Sequence, residues 1–213
     1  MKRLLTLIIM LMTLISAPMF AYEAISSANN VILTVDPRKN LQCKVRIPQV
    51  FSLYNYAPGA TIYSHEYIQG GETWENWTEH ICVSEGTHDR GAVLTDFLAH
   101  LEAGYHQRQN KKLIECHSTT HKECGVLVGV LFAETSGELV VVQDPPGEVS
   151  GQAVEAIPNT NEIVLTKIIE GKNNMVIIQY TKKYPVDKTT PEEKANMKEK
   201  MLGFLKSCRV TDH

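Results

Sequence analysis

Hydrophobic residues alternate with polar ones along the first third of the chain, in short runs separated by turn residues. The clearest run is 41–47, where Leu41, Cys43, Val45 and Ile47 alternate with polar side chains. A period of two is typical of a β-strand with one buried face. The same kind of pattern predicts further strands at 31–35, 51–56, 62–68 and 77–83.

Two segments have the period of a helix instead. Apolar residues in 93–105 recur every three or four positions, which predicts a first amphipathic helix. The second helix is predicted at 190–207, because Thr190, Pro191 and Glu193 form a capping box with a proline in the first turn. Its predicted buried stripe consists of Met197, Met201, Leu202, Leu205 and Cys208, and its predicted exposed face includes Lys198.

The later strands are predicted to pair as hairpins. Strand patterns at 126–134 and 138–143 flank a short Thr-Ser-Gly turn, and those at 163–169 and 175–180 flank a second turn. Hairpins imply antiparallel pairing, and two amphipathic helices suffice to cover such a sheet. The pattern therefore predicts a single α+β domain with a mainly antiparallel sheet covered by two helices, similar to an α/β/α sandwich.

The N-terminus has the layout of a secretory signal peptide. Lys2 and Arg3 precede an uncharged apolar stretch at 4–15, and small residues lead to Ala21. We expect a signal peptide at 1–21 and a mature domain at 22–213, with cleavage after Ala24 or an uncleaved anchor as alternatives. This predicts a bacterial protein of the periplasm or the extracellular medium.

The net charge of the chain disfavours some classes of binding partner. The chain has 213 residues, and without Lys2 and Arg3 it carries 19 basic against 24 acidic residues, a net charge of −5. An acidic chain is a poor general binder of nucleic acids or anionic membranes. No later apolar run reaches the length of a membrane span, so no stable span is expected after cleavage.

The stretch "ECHSTTHKEC" at 115–124 holds two cysteines and two histidines. In an oxidising compartment, Cys116 and Cys124 are predicted to form a disulfide that closes a loop, with His117 and His121 exposed. Tetrahedral zinc bound by all four residues is the alternative. The disulfide is favoured because structural zinc sites usually take their ligands from separated segments, and a redox pair would need closer spacing.

Three further cysteines leave an odd thiol. A second disulfide is predicted among Cys43, Cys82 and Cys208, without a basis in the sequence for choosing the pair. The remaining thiol is expected to be a buried apolar residue, with a thiol that joins two copies of the chain as the alternative.

Trp74 and Trp77, with Tyr63 and Tyr67 nearby, have two interpretations. Large aromatic residues are mostly buried, so core anchoring is favoured. The alternative is an interaction surface for a ligand or glycan.

No sequence motif assigns a reaction to the chain. It contains no serine-hydrolase elbow, zinc-protease helix, P-loop or dinucleotide fingerprint. No catalytic residue and no cofactor are predicted, and the expected partner is another protein or a small ligand.

The layout, with "ETWENWTEHICV" at 72–83 before the first helix and "SCRV" at 207–210 after the last, resembles small secreted bacterial proteins of the PsbP-like and DcrB-like type. This resemblance implies an α/β/α sandwich and a periplasmic or secreted accessory or binding protein. The alternatives are a secreted hydrolase or metalloenzyme with a site built from distant residues, and a virulence-associated factor.

Overall fold

Ten strands and two α-helices make up the part of the chain that the structure describes. The computed structural model describes residues 30–58, 62–87, 94–107, 112–137, 159–172 and 174–212. The strands are β1 (Asn30–Asp36), β2 (Leu41–Arg46), β3 (Phe51–Pro58), β4 (Ile62–Gln69), β5 (Glu79–Thr87), β6 (Leu113–Glu123), β7 (Val126–Gly137), β8 (Thr160–Glu170), β9 (Asn174–Pro185) and β10 (Val210–Asp212). The helices are α1 (Leu94–Gln107) and α2 (Pro191–Ser207), and a 3-10 turn (Val186–Lys188) precedes α2.

Seven of the strands form one large antiparallel sheet. Its order is β3-β4-β5-β9-β8-β7-β6, and a small sheet of order β1-β2-β10 accompanies it. β8 and β9 lie inside the large sheet, and β8 is buried on both faces, as expected for its nearly continuous apolar run. The predicted α+β domain with a mainly antiparallel sheet and two helices is confirmed, and strands dominate it.

The two faces of the large sheet bury different clusters. On β8, Ile163, Leu165 and Ile169 join one cluster, whereas Val164 and Ile168 join the other. This separation follows from the two-residue period of a strand. The first cluster contains side chains of α2 and of the small sheet, and the second contains side chains of α1.

The start of α2 has the predicted capping geometry. The backbone N–H of Glu193 donates to Thr190 Oγ1 at 3.2 Å, and the backbone N–H of Thr190 donates to Glu193 Oε2 at 2.8 Å. Pro191 occupies the first turn, where its missing N–H costs nothing. Met201 and Leu205 are buried as predicted, but Leu202 is 37% exposed, so its placement in the buried stripe was wrong.

Lysines of α2 reach buried carboxylates of the sheet. Glu79, on β5, is 2% exposed and accepts hydrogen bonds from the Tyr180 hydroxyl and from Lys182. Lys200 of α2 approaches its Oε2 at 3.3 Å. Lys198 was expected on the exposed face of α2, yet it contacts carboxylates of the sheet. The long lysine stem explains the difference, because it carries the ammonium beyond the edge of the helix.

Residues 115–124 do not form the predicted cysteine loop. Almost all of this stretch lies in β6, which pairs with β7 in continuous antiparallel register from Glu115↔Glu134 to Glu123↔Val126. The turn itself is Cys124-Gly125, where φ is +48° and +78°. Positive φ at both positions is typical of a two-residue hairpin turn. β6 lies at the edge of the sheet and is largely exposed, so it lacks the apolar alternation that marks a strand.

Other differences concern the ends of the chain and one hairpin. β10 was not predicted, because three residues are too few to show a period. The predicted signal peptide at 1–21 and the predicted strand at 138–143 lie outside the described residues.

Replacing Gly171 by alanine is expected to lower the free energy of unfolding by about 1–3 kcal/mol. A Cβ there would lie 2.0 Å from Asn174 Oδ1 and 2.4 Å from the Val35 carbonyl oxygen, and the second of these is backbone. Gly104→Ala in α1 is the control, because a Cβ there meets nothing within 4 Å. It should stabilise by about 0.5–1 kcal/mol through helix propensity. Urea unfolding measures both, and equal changes of the same sign would contradict the packing of this turn against β1.

Candidate functional site

A groove of about 310 Å³ lies between α2 and the β6 edge of the large sheet. Successive odd-numbered residues of β6 share one face, so three β6 side chains enter the groove together. Strands β7 and β8 supply the floor, and α2 supplies the opposite wall. The lining residues are Glu115, His117, Thr119, Val130, Phe132, Leu165, Lys198 and Leu202.

Phe132 is the central ring of the groove. The imidazole of His117 stacks on it with ring centroids 5.1 Å apart and an interplanar angle of 30°. The Nζ of Lys198 lies 4.3 Å from the centroid of the same ring, in cation–π range. The ring therefore contacts side chains from both walls of the groove, β6 and α2.

Lys198 forms ion pairs with carboxylates in and behind the groove. Lys198 Nζ lies 3.2 Å from Glu115 Oε2 and 3.5 Å from Glu134 Oε2. His117 Nδ1 lies 3.6 Å from Glu115 Oε1. The rim thus carries the ion pair of Lys198 with Glu115, with the His117 imidazole beside it, above an apolar floor.

Glu134 supports the groove from behind. It is fully buried and accepts hydrogen bonds from the Tyr184 hydroxyl and from Lys194 of α2. Burial by itself would raise the pKa of Glu134, but the hydrogen bonds from Lys194 and Tyr184 and the charges of Lys194 and Lys198 hold the pKa below its ordinary value. The carboxylate therefore stays charged near neutral pH and holds α2 against the sheet.

The structure does not bring Cys116 and Cys124 together. Cys116 lies within β6 and Cys124 lies in the turn after it, and eight residues of extended chain span about 26 Å. A disulfide needs Cα atoms within about 7 Å, and both thiols are free here. This corrects the predicted bridge, whose premise was a loop at 115–124.

The alternative zinc site is not assembled either. Cys116 packs against the cluster under α1, whereas His117 enters the groove on the opposite face. His121 lies four residues beyond His117 on the strand and pairs with Glu123 at 3.0 Å. In the described ranges, no three His, Cys, Asp or Glu side chains are grouped to hold a metal ion.

The other three cysteines are free thiols in two separate places. Cys43 and Cys208 lie in the core between the small sheet and α2, where burial raises the pKa of Cys43 to about 12 and that of Cys208 to about 11. Cys82 lies on β5, with Sγ 3.4 Å from Ser64 Oγ, and burial raises its pKa. The disulfide predicted among Cys43, Cys82 and Cys208 is not formed in this structure.

The aromatic residues for which the sequence allowed either a core role or an interaction surface lie partly at the surface and partly in the core. Trp74 is 44% exposed, and Trp77 is half-buried. Tyr67 is only 1% exposed, so it belongs to the core. Tyr63 lies on β4, but its side chain is outside the described part of the structure.

Most of the groove was not apparent in the sequence. Of the lining residues, only His117 was considered as part of a site, and as a zinc ligand; Lys198 and Leu202 were assigned only to faces of the second helix. Glu115 and Thr119 could have been grouped with it by their two-residue spacing, had β6 been recognised as a strand. Nothing along the chain links these residues to Phe132 or Lys198, because only the pairing of β6 with β7 and the packing of α2 bring them together.

No helix in the described residues is long and apolar enough to cross a membrane.

Comparisons with known proteins concern the layout of the fold. The solution structure of cyanobacterial PsbP (CyanoP) from Synechocystis sp. PCC 6803 is 12% identical, with a TM-score of 0.49, and the match covers 92% of this chain and 99% of that one. The predicted resemblance to PsbP-like proteins is confirmed as a weak resemblance in layout. No family model matches the chain, and no curated protein matches it.

Proposed function

We propose that this chain is an exported, non-catalytic binding protein that holds a small ligand in the groove between β6 and α2. The observation that carries the proposal is a concave site with an apolar floor and a polar rim. Ligand sites usually have this composition, and their volumes begin at about 300 Å³. The groove, at about 310 Å³, suits a small molecule or one side chain of a partner protein.

The pairing of the rim side chains favours binding over catalysis. Lys198 is shared between two carboxylates, and His117 is stacked on Phe132 beside Glu115. Groups held in this way can orient a ligand by hydrogen bonding. The groove therefore suits a ligand with a flat apolar part and a polar substituent that reaches Lys198 or Thr119.

The groove is expected to bind the dye 8-anilinonaphthalene-1-sulfonate, whose aromatic rings match the apolar floor and whose sulfonate matches Lys198. Leu202→Asp should weaken binding on the order of tenfold, because it places a carboxylate against the rings of the dye. A fluorescence titration of the native protein measures the affinity.

Val186→Asp is the matched control for the dye experiment. Val186 is another exposed apolar residue, but it does not line the groove. The control should keep the affinity of the unmodified protein. Equal weakening in both variants, or no saturable binding by the native protein, would contradict the groove as a ligand site.

Export is the second part of the proposal. It is supported by Lys2 and Arg3, the apolar stretch at 4–15 and the small residues before Ala21. The mature domain is then 22–213, in the periplasm or the medium. The alternatives of a hydrolase, a metalloenzyme or a virulence-associated factor stay predictions.

We expect N-terminal sequencing of the protein from its native host to find Tyr22 as the first residue, or Ile25 if cleavage follows Ala24. The sample should come from the periplasmic fraction or the medium. Recovery of Met1 on protein from the cytoplasmic fraction would contradict export.

We also propose that the helices and the large sheet form three layers. An α/β/α sandwich is supported by the two core clusters on opposite faces of the large sheet, one containing α1 and the other α2.

A further inference from the structure

An aromatic cluster of Tyr54, Trp74, Trp77 and His80 lies toward the β3 edge of the large sheet, the edge opposite β6. The rings of Tyr54 and Trp74 stack with centroids 5.8 Å apart and an interplanar angle of 19°. Trp74 also lies 6.1 Å from Trp77, and the His80 ring lies within 5.5 Å of both tryptophans. Four rings from β3, from β5 and from the connection between β4 and β5 thus meet in one place.

Part of this cluster is open to solvent. Tyr54 and Trp74 are both about half-exposed, and they are nearly parallel. Exposed apolar side chains that lie together mark interaction sites, whereas isolated ones are ordinary. Two stacked, exposed aromatic rings are typical of a surface that binds a flat apolar group.

Two buried side-chain atoms, one in the cluster and one on the residue two positions before Trp74 in the chain, lack a hydrogen-bond partner among the described residues. One is Nε2 of His80, a residue 7% exposed, and the other is Oε2 of Glu72. The second carboxylate oxygen, Oε1, already accepts from the Thr78 backbone N–H and hydroxyl. Burying an unpaired polar atom costs free energy, so such atoms point to a ligand that supplies the missing bonds.

These contacts define the chemistry of the ligand. A carboxylate oxygen only accepts, so the ligand must bring an O–H or N–H donor to Glu72. The Nζ of Lys183 already lies 3.5 Å from the centroid of the Trp77 ring, which disfavours a second cation there. The carboxylate of Glu72 disfavours an anion. A neutral ligand with an apolar face and several hydroxyl groups satisfies all three conditions.

We propose that the aromatic cluster and Glu72 form a saccharide-binding site, with a pyranose ring lying against the exposed part of the stacked pair of Trp74 and Tyr54 and a hydroxyl group donating to Glu72. A pyranose with equatorial substituents presents a flat face of C–H groups to the rings and hydroxyl groups at its edge. Because Nε2 of His80 and Oε2 of Glu72 are buried in this structure, binding also requires a side-chain rotation that exposes them. A proline-rich peptide fits less well, because its tertiary amides bring no donor to Glu72.

Intrinsic fluorescence reports directly on this site, because both tryptophans of the chain belong to the cluster. The probes are cellotetraose and chitotetraose, whose β-1,4 linkages keep the ring faces flat. Either is expected to give a saturable change in tryptophan emission. Saturation-transfer NMR should place the strongest signals on the C–H protons of the bound sugar.

Two variants test the assigned contacts. Trp74→Ala should weaken binding on the order of tenfold through the loss of a stacked ring, and Glu72→Gln should weaken it by a similar factor. Trp74 is exposed, so its variant should keep the fold, which circular dichroism checks. Leu202→Ala removes a comparably exposed side chain from the distant groove and should leave the affinity for the sugar unchanged.

Absence of saturable binding by both sugars at millimolar concentration would overturn the proposal. So would undiminished binding by a folded Trp74→Ala protein. A polyproline peptide that changes the tryptophan emission while both sugars fail would assign the cluster to peptide recognition instead.

Discussion

Replacing Leu205 by alanine is expected to lower the free energy of unfolding by about 2–5 kcal/mol, the largest single-residue effect predicted for this protein. Leu205 is 2% exposed and joins the cluster between α2 and the sheet, with Met201 and Cys208 beside it. The truncation removes buried methyl groups and leaves a cavity that α2 cannot fill, because ion pairs of its lysines with the buried carboxylates Glu134 and Glu79 hold it in place. Urea unfolding monitored by circular dichroism measures the change.

Leu202→Ala is the matched control for this prediction. It makes the same substitution in the same helix at a residue that is exposed. Less apolar surface is buried there, so its cost should stay below about 1 kcal/mol. Similar losses in both variants would mean that the face of α2 turned toward the sheet is wrongly assigned.

Acidification is expected to destabilise the protein through Glu79. Burial by itself would raise the pKa of this carboxyl, but hydrogen bonds from Lys182 and Tyr180 and the charges of Lys182 and Lys200 outweigh it and lower the pKa to about 2. A carboxyl whose pKa is lower in the folded state stabilises the protein above its unfolded value of 4.5. That contribution is lost as the pH falls from 4.5 towards 2, and its full size is about 3 kcal/mol.

Glu79→Gln should remove this dependence. At pH 7 the variant should be less stable by about 3 kcal/mol, because Lys182 and the Tyr180 hydroxyl lose their charged partner. The difference from the unmodified protein should shrink as the pH falls through the same window. Urea unfolding at several pH values between 7 and 2 measures both curves.

Glu199→Gln is the control for the acid experiment, because Glu199 is an exposed carboxyl residue of α2, next to Lys200 in the chain. Its stability should follow that of the unmodified protein across the whole pH range. If Glu79→Gln also follows that curve, the buried carboxylate does not carry the predicted stabilisation.

The weak point of the sequence-based interpretation was the stretch at 115–124. Two cysteines eight residues apart suggest a stapled loop only if the chain turns back between them. In β6 the chain is extended, and the turn comes at Cys124 and Gly125 instead. Because β6 is an edge strand with little buried surface, its local sequence did not have to alternate, and the strand signal was lost.

The sequence alone was sufficient wherever burial imposed a period on neighbouring residues. It determined the buried strands, the antiparallel hairpin of β8 and β9, and both helices, including the capping box at Thr190. These features depend on local geometry, since side chains two, three or four positions apart share a face. The class of fold followed from their order.

Only the tertiary structure decided where the candidate sites are. The groove joins His117, Phe132 and Lys198, which lie on three elements, and the aromatic cluster places His80 between Trp74 and Trp77. It also decided that Lys198 reaches the sheet and that Cys116 and Cys124 stay apart. The physical reason is that strand pairing and helix packing bring distant positions together, and no local period encodes which of them will meet.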